Sequence, residues 1–225
     1  VAPNVEVHIS TQQSISNYKE VRYWESEGVH RVVLARETGY EEIKEIREKT
    51  DVEIEMFVHG AMCMSYSGRC LLSNFMVGRD ANRGSCTHPC RWKYSLVEEK
   101  RPGEYYPIEE DERGSYIMNS RDLCMLDKLP DLIDAGIYSL KIEGRMKSPF
   151  YVATVVSAYR AALDSYLDNP DNYEFQEKWF TELCKASHRE FYHGFYYSKP
   201  DSSGQNYSSS DYTREYSFIG VVRGF

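Results

Sequence analysis

The chain lacks the features that would place it in a membrane, in a secretory pathway or across a nucleic acid by bulk charge. No apolar run approaches the roughly 20 residues that a helix needs to span a bilayer, and the runs present are far shorter. The first residues, Val-Ala-Pro-Asn, have neither a Met nor the basic-then-apolar layout of a signal peptide. A basic excess is also missing. Lys and Arg number 27 against 35 Asp and Glu, a net charge of −8 with a pI near 5.4. Any contact with nucleic acid must therefore use a local patch, and a purely RNA-binding module is disfavoured. Three chemical signatures are absent as well. There is no C-x2-C knuckle of a zinc ribbon, no H-E-x-x-H among the six His, and no G-x-S-x-G elbow.

What is present suits a soluble globular chain able to bury a core: 225 residues, 41% hydrophobic, with a mean hydropathy of −0.60. The first 60 residues alternate. Strands are predicted at 5–10, 31–36 and 52–58. Asn17 caps a helix running to about 27, with Gly28 as its stop, and a short helix over 41–49 turns Ile43 and Ile46 inward. This βαβαβ rhythm predicts a parallel sheet. Residues 60–113 interrupt it with a cysteine-rich insertion and a hairpin around 100–103. The rhythm then resumes: a strand at 116–119, a helix over 123–135 stopped by Gly136, and a strand at 139–143. A helix over 149–167, with Val152, Val155, Val156, Tyr159 and Ala162 on its inner face, and another over 177–185 follow. An eight-stranded (β/α) barrel takes about 250 residues, so the fold class expected is α/β: part of a TIM-like barrel over 1–195, with its N-terminal part missing. Residues 196–225 read as a linker and the first strand of a C-terminal β domain. The strand ends run into polar groups, at Ser10-Thr11-Gln12, Arg36-Glu37, His59, 119–122 and 143–145, where such folds place their sites.

Six cysteines are concentrated as Cys63-x6-Cys70-x15-Cys86-x3-Cys90, with Cys124 and Cys184 further on. Four thiols within 28 residues, in a chain read as cytoplasmic, suit metal binding better than disulfides. Their irregular spacing suits an iron–sulfur cluster better than zinc. Cys184, beside Leu183 in a helix, reads as a small apolar residue. A cysteine nucleophile, Cys63 or Cys70, would take His59 or His88 as its base, but one nucleophile leaves the other thiols unexplained. From Arg69 to Lys93 five basic residues stand against the single acid Asp80. That segment carries +4 and the remainder −12, which points to an anion site. Cys90 and Cys124 both remain open as a fourth ligand. Cys124 is favoured, because a helix beginning there would stabilise a thiolate.

Residues 55–73 carry a specific pattern, E-x-F-x-x-G-[SA]-hydrophobic-C-x4-G-x-C-x-hydrophobic-S, matched by Glu55, Phe57, Gly60, Ala61, Met62, Cys63, Gly68, Cys70, Leu72 and Ser73. It continues in Asn82-Arg83-Gly84-Ser85-Cys86 and Pro89-Cys90-Arg91-Trp92, and again at 118–124 and 141–147. Taken together the motifs resemble the collagenase-like peptidase family (family thirty-two of the unclassified peptidases), and most nearly its tRNA-hydroxylating branch. One departure concerns residues 187–195, which resemble a family stretch with Thr-Gly-Phe, so that His193 is non-standard. The resemblance implies a barrel-type domain holding a 4Fe-4S cluster, and an oxygen-independent hydroxylation that uses prephenate as hydroxyl donor. The product on tRNA would be 5-hydroxyuridine at the wobble position. It implies Cys63, Cys70 and Cys86 as ligands, with Cys124 or Cys90 as the fourth. Arg145, Glu143, Arg121 and His59 become candidate catalytic groups, and Arg69, Tyr66 and Arg145 candidate contacts to substrate. Candidate partners are tRNA, a small dicarboxylate and a paralogous chain in an oligomer, with no membrane. The alternative is the peptidase that the family name states.

Overall fold

A computed structural model describes residues 5–92, 94–96, 99–100, 102–103, 106–107, 120–199, 204 and 212–220. The first strand, β1 (His8–Ile9), is shorter than the alternation predicts, and Val5 and Val7 stay exposed. Helix α1 (Tyr18–Ser26) starts as expected: the Asn17 side chain accepts from the N–H groups of Lys19 and Glu20. Strand β2 (Arg31–Val33) leads to α2 (Tyr40–Lys49). There Glu41 and Glu42 sit in the first turn and Arg47 and Lys49 in the last, complementing the helix dipole, while Ile43 and Ile46 are fully buried. Strand β3 (Glu53–Ala61) is the longest and is buried from Ile54 onward on both faces. That is why its sequence runs Ile-Glu-Met-Phe-Val rather than strictly alternating.

Beyond β3 come the short helix α3 (Leu72–Val77) and a hairpin of β4 (Ser95–Leu96) against β5 (Tyr106–Pro107), as the turn around 100–103 predicts. The predicted strand at 116–119 lies outside the described residues, as does most of the segment after 199. Strand β6 (Asp122–Cys124) corrects the sequence reading, which placed a helix over 123–135. The helix, α4 (Leu129–Asp134), begins only at Leu129-Pro130, with proline in its first turn. An apolar run of four, 123–126, fits a buried strand as well as a helix, and ladder bonds to β3 settle it. Strand β7 (Ser139–Ile142), helix α5 (Pro149–Asp168, capped by the Ser148 hydroxyl), helix α6 (Glu177–Cys184) and the unpredicted strand β8 (Phe191–Tyr192) complete the order.

The sheet runs β1-β2-β3-β6-β8, with β7 on β3. Glu55 pairs with both Val33 and Ser139, and His59 with both Ile142 and Cys124. Thus β7 follows one edge of β3, while β2 and then β6 share the other. Four of these pairings are parallel; β6 on β3 is antiparallel, a departure from the all-parallel expectation. The result is a mixed α/β fold with a parallel-rich sheet. Helix α5 buries Tyr151, Val155, Ala158, Tyr159, Ala162 and Tyr166, whereas Val152 and Val156 are exposed, a shift of the predicted face. The segment read as a linker from 196 starts inside the core. Tyr196 is buried, its hydroxyl donates to the Phe57 carbonyl at 2.7 Å, and its own carbonyl accepts from Tyr40 N–H.

Gly60 turns β3 into the loop that follows, with φ +104; a Cβ there would lie 2.4 Å from the Glu143 carbonyl oxygen. Gly60→Ala is expected to destabilise the fold by about 1–3 kcal/mol from backbone strain alone, read as a lower urea midpoint with an unchanged slope.

A cysteine-lined candidate active site

The loop after β3 is held by close backbone contacts. Gly68 has φ +75, and a Cβ there would sit 1.9 Å from the carbonyl oxygen of Gln12. The loop carrying Cys63 and Cys70 therefore lies directly on the end of β1. Ser67 fastens it to the end of β2: its N–H donates to Glu37 at 3.0 Å, its hydroxyl accepts from Arg36 N–H at 3.2 Å, and its carbonyl accepts from the Ser14 hydroxyl. Cys70 and Asn82 exchange two hydrogen bonds, N–H to Oδ1 at 3.0 Å and Nδ2 to the carbonyl at 2.8 Å, which draws the segment before Cys86 against Cys70.

These contacts close a cavity of about 590 Å³ at the ends of β1, β2, β3 and β7, lined by Cys63, Cys70, Cys86 and Cys90. Backbone N–H groups point at three of the sulfurs: Ser65 to Cys63, His88 to Cys86 at 3.3 Å, and Met64 to Cys90. Burial pushes the Cys63 thiol up to about 11 and raises those of Cys86 and Cys90. Without a cation these sulfurs stay protonated at neutral pH, despite the amides aimed at them. Among the described residues no three His, Cys, Asp or Glu side chains converge tightly enough for a single metal ion. In an iron–sulfur cubane each thiolate binds a different iron, so the ligands ring the cluster instead of meeting at a point. The donor set is thus an all-sulfur ring with amide support, which fits such a cluster.

Charged groups complete the wall. Arg36, beyond β2, lies over the Phe57 ring with its guanidinium carbon 3.7 Å from the centroid. Arg145, beyond β7, also lines the cavity, and its backbone N–H donates to Glu143 at 2.8 Å. Glu143 in turn lies 3.8 Å from His88. Lys141 and Arg91 are neutralised from behind, by Glu55 at 2.5 Å and by Asp122 at 2.6 Å.

The model of peptidase family U32 matches residues 1–206. The chain belongs to peptidase family U32. Its curated relatives include "tRNA hydroxylation protein P1" of Bacillus subtilis, 48% identical over 225 residues, covering 100% of this chain and 53% of that protein. The "tRNA hydroxylation protein P" of Escherichia coli is 38% identical, over 91% of this chain and 53% of its own length. A protein named "Collagenase" from Porphyromonas gingivalis is 35% identical, over 96% and 53%. The chain spans about half the length of these relatives. No solved structure matches it significantly.

In this U32 chain the remaining predicted residues lie elsewhere. Cys124 does not begin a helix. It sits in β6, buried, with its sulfur 3.9 Å from the Tyr159 hydroxyl and its thiol pushed up to about 12 by that burial; it is not part of the cavity wall. His59 is 1% exposed among the rings of Tyr151, Tyr159 and Phe191, and burial lowers its pKa to about 3. Its contact is the Tyr159 hydroxyl, at 3.4 Å, and not a cysteine. Arg121 pairs with Glu190 at 2.9 Å, away from the cavity. Tyr66 and Arg69 are exposed and outside the wall. Cys184 is half-buried at the end of α6. His193 faces Asp127 at 3.1 Å. Arg36 was visible in the sequence as a strand end, but its position on Phe57 was not.

The Arg91–Asp122 pair is 3% and 1% exposed. Asp122→Asn or Arg91→Met alone strands a buried charge, with an expected loss of about 3–5 kcal/mol, while replacing both by apolar residues costs less than either. Urea denaturation of the three variants measures this.

Proposed function

We propose that this chain forms the cluster-binding part of an oxygen-independent hydroxylase that acts on tRNA, making 5-hydroxyuridine at the wobble position with prephenate as hydroxyl donor. The observation that carries the reading is the ring of four cysteine sulfurs around one cavity, three of them facing backbone N–H donors. Cys63, Cys70, Cys86 and Cys90 would hold a 4Fe-4S cluster, which supplies electron transfer or an open iron coordination site. The chain's own residues bind and orient. The amides of Met64, Ser65 and His88 favour the thiolate forms, and the strand-end arginines supply positive charge to an anionic co-substrate.

The names of the relatives from Bacillus subtilis and Escherichia coli support tRNA as the substrate. Exposed side chains in the cysteine segment are compatible. Tyr66 and Phe75 are exposed, the latter by 86%, and exposed Arg69 and Arg79 follow them closely in sequence, a combination of aromatic rings and cations suited to unpaired bases. A tRNA substrate implies a cytoplasmic location, and no helix among the described residues is long and apolar enough to cross a membrane. A peptidase built on a Cys–His pair is less well supported. The imidazole of His88 faces Glu143, and burial first of all lowers its pKa to about 4.

Two measurements test this. The full-length protein purified anaerobically is expected to show the broad visible absorption of a thiolate-bound cubane, and its gene to restore 5-hydroxyuridine in tRNA of a deletion strain. Peptide cleavage by a colourless, iron-free protein would overturn the assignment. Ser substitution at Cys63, Cys70, Cys86 or Cys90 is expected to remove most of the iron per monomer, whereas Cys124→Ser retains it. Full iron in Cys90→Ser with loss in Cys124→Ser would assign the fourth position to Cys124.

A further inference from the structure

We propose that Arg36 and Arg145 form a two-guanidinium clamp for a small dicarboxylate inside the cysteine-lined cavity, with Phe57 as the platform that fixes Arg36. The inference rests on the functional reading above and specifies how its co-substrate is held.

The first observation is ion pairing. Most cations near the sheet are matched by a carboxylate: Arg31 by Glu53, Lys141 by Glu55, Arg91 by Asp122 and Arg121 by Glu190. Among the described residues Arg36 and Arg145 have no carboxylate within ion-pair distance of their guanidinium groups, although both line the cavity. The acid nearest to Arg145, Glu143, accepts its backbone N–H and otherwise faces His88. A guanidinium on the cavity wall without a carboxylate, half-buried at Arg36 and exposed at Arg145, is poised to take one from a ligand.

The second observation is orientation. Arg36 is stacked 3.7 Å above the centroid of Phe57. Stacking occupies one face of the guanidinium and leaves its edge, where the paired N–H donors lie, open to a carboxylate in the same plane. Its backbone is also fixed, since Arg36 N–H donates to the Ser67 hydroxyl at 3.2 Å.

The third observation is spacing. Arg36 follows β2 and Arg145 follows β7, the strands that pair with opposite edges of β3. Two ladder steps separate those strands, about 10 Å. The two cations thus approach from separate walls, which suits a ligand with two carboxylates better than one with a single anionic group.

Calorimetric titration of the anaerobic, iron-loaded full-length protein tests the clamp, with prephenate, its monocarboxylate counterpart phenylpyruvate and the unrelated dicarboxylate benzylmalonate as probes. Wild type is expected to bind the dicarboxylates about 10–100-fold more tightly than phenylpyruvate, the value of one charge-assisted pair. Arg36→Met and Arg145→Met are each expected to abolish that preference while keeping iron per monomer at the wild-type level. Arg36→Lys is expected to recover only part of it, because lysine keeps the charge but not the fork. Arg79→Met, outside the cavity, is expected to bind as wild type does. Arginine-dependent binding of benzylmalonate without binding of prephenate would keep the clamp and overturn the choice of hydroxyl donor. Unchanged dicarboxylate preference in both Met variants, or loss of iron on Arg36→Met, would overturn the clamp, the latter showing that Arg36 serves the metal centre instead.

Discussion

The cysteine segment depends on one buried ion pair. Arg91 stands beside Cys90, and its guanidinium reaches Asp122 in β6 at 2.6 Å and the carbonyl of Met62, beside Cys63, at 3.3 Å. The other carboxylate oxygen of Asp122 accepts from Arg189 N–H at 3.2 Å, and Arg189 in turn donates to the Arg91 carbonyl at 3.2 Å. A single pair thus ties the last cysteine of the segment to the first, and both to the sheet. Burying two charges costs several kcal/mol in desolvation, and the pair returns this only because both partners are further hydrogen-bonded. Burial alone would raise the Asp122 pKa, yet Arg91 and Lys147 outweigh it and hold the carboxylate ionised. What such a pair gives is geometry: apolar residues could fill the same space but would not fix where Cys90 stands relative to Cys63.

The same logic sorts the charges of the cavity. The wall cations Arg91 and Lys141 are balanced from behind by Asp122 and Glu55, so they shape the site while adding little field inside it. Glu55 is held ionised despite its burial by Lys141 and the Ser139 hydroxyl. With those two balanced, Arg36 and Arg145 are left as the wall cations that an entering anion would meet in a chain of net charge −8. The backbone carries the rest of the precision. Gly68 against Gln12 and Gly60 against Glu143 are contacts that no side chain fits, and each presses the cysteine loop onto a strand end.

Much of the fold was legible because its signals are local. The cap at Asn17, the inward pair Ile43 and Ile46, and the proline that opens α5 are each specified within one or two turns. Strand β8 and the direction of β6 were not legible, because both are decided by pairing between segments far apart in sequence. Residues 123–126 are apolar without a clear period, and only the ladder to β3 selects strand over helix. The face of α5 was misread for a related reason. Valines occur on more than one side of that helix, so periodicity could not choose between Val152 and Tyr151.

The site shows the same division. The grouping of Cys63, Cys70 and Cys86 could be anticipated from a shared loop, whereas which of Cys90 and Cys124 lines the cavity could not, since it turns on the direction of β6. Running antiparallel to β3, that strand sets Cys124 opposite His59 in the ladder and against the Tyr159 hydroxyl, which also donates to the Val58 carbonyl at 2.8 Å. There the thiol belongs to the packing between sheet and α5. Cys90, on the short turn Pro89–Arg91, is instead carried to the cavity by the ion pair of its neighbour Arg91. Spacing along the chain offers both cysteines; the buried carboxylate of Asp122, two residues before one and bonded to the residue after the other, is what separates their positions.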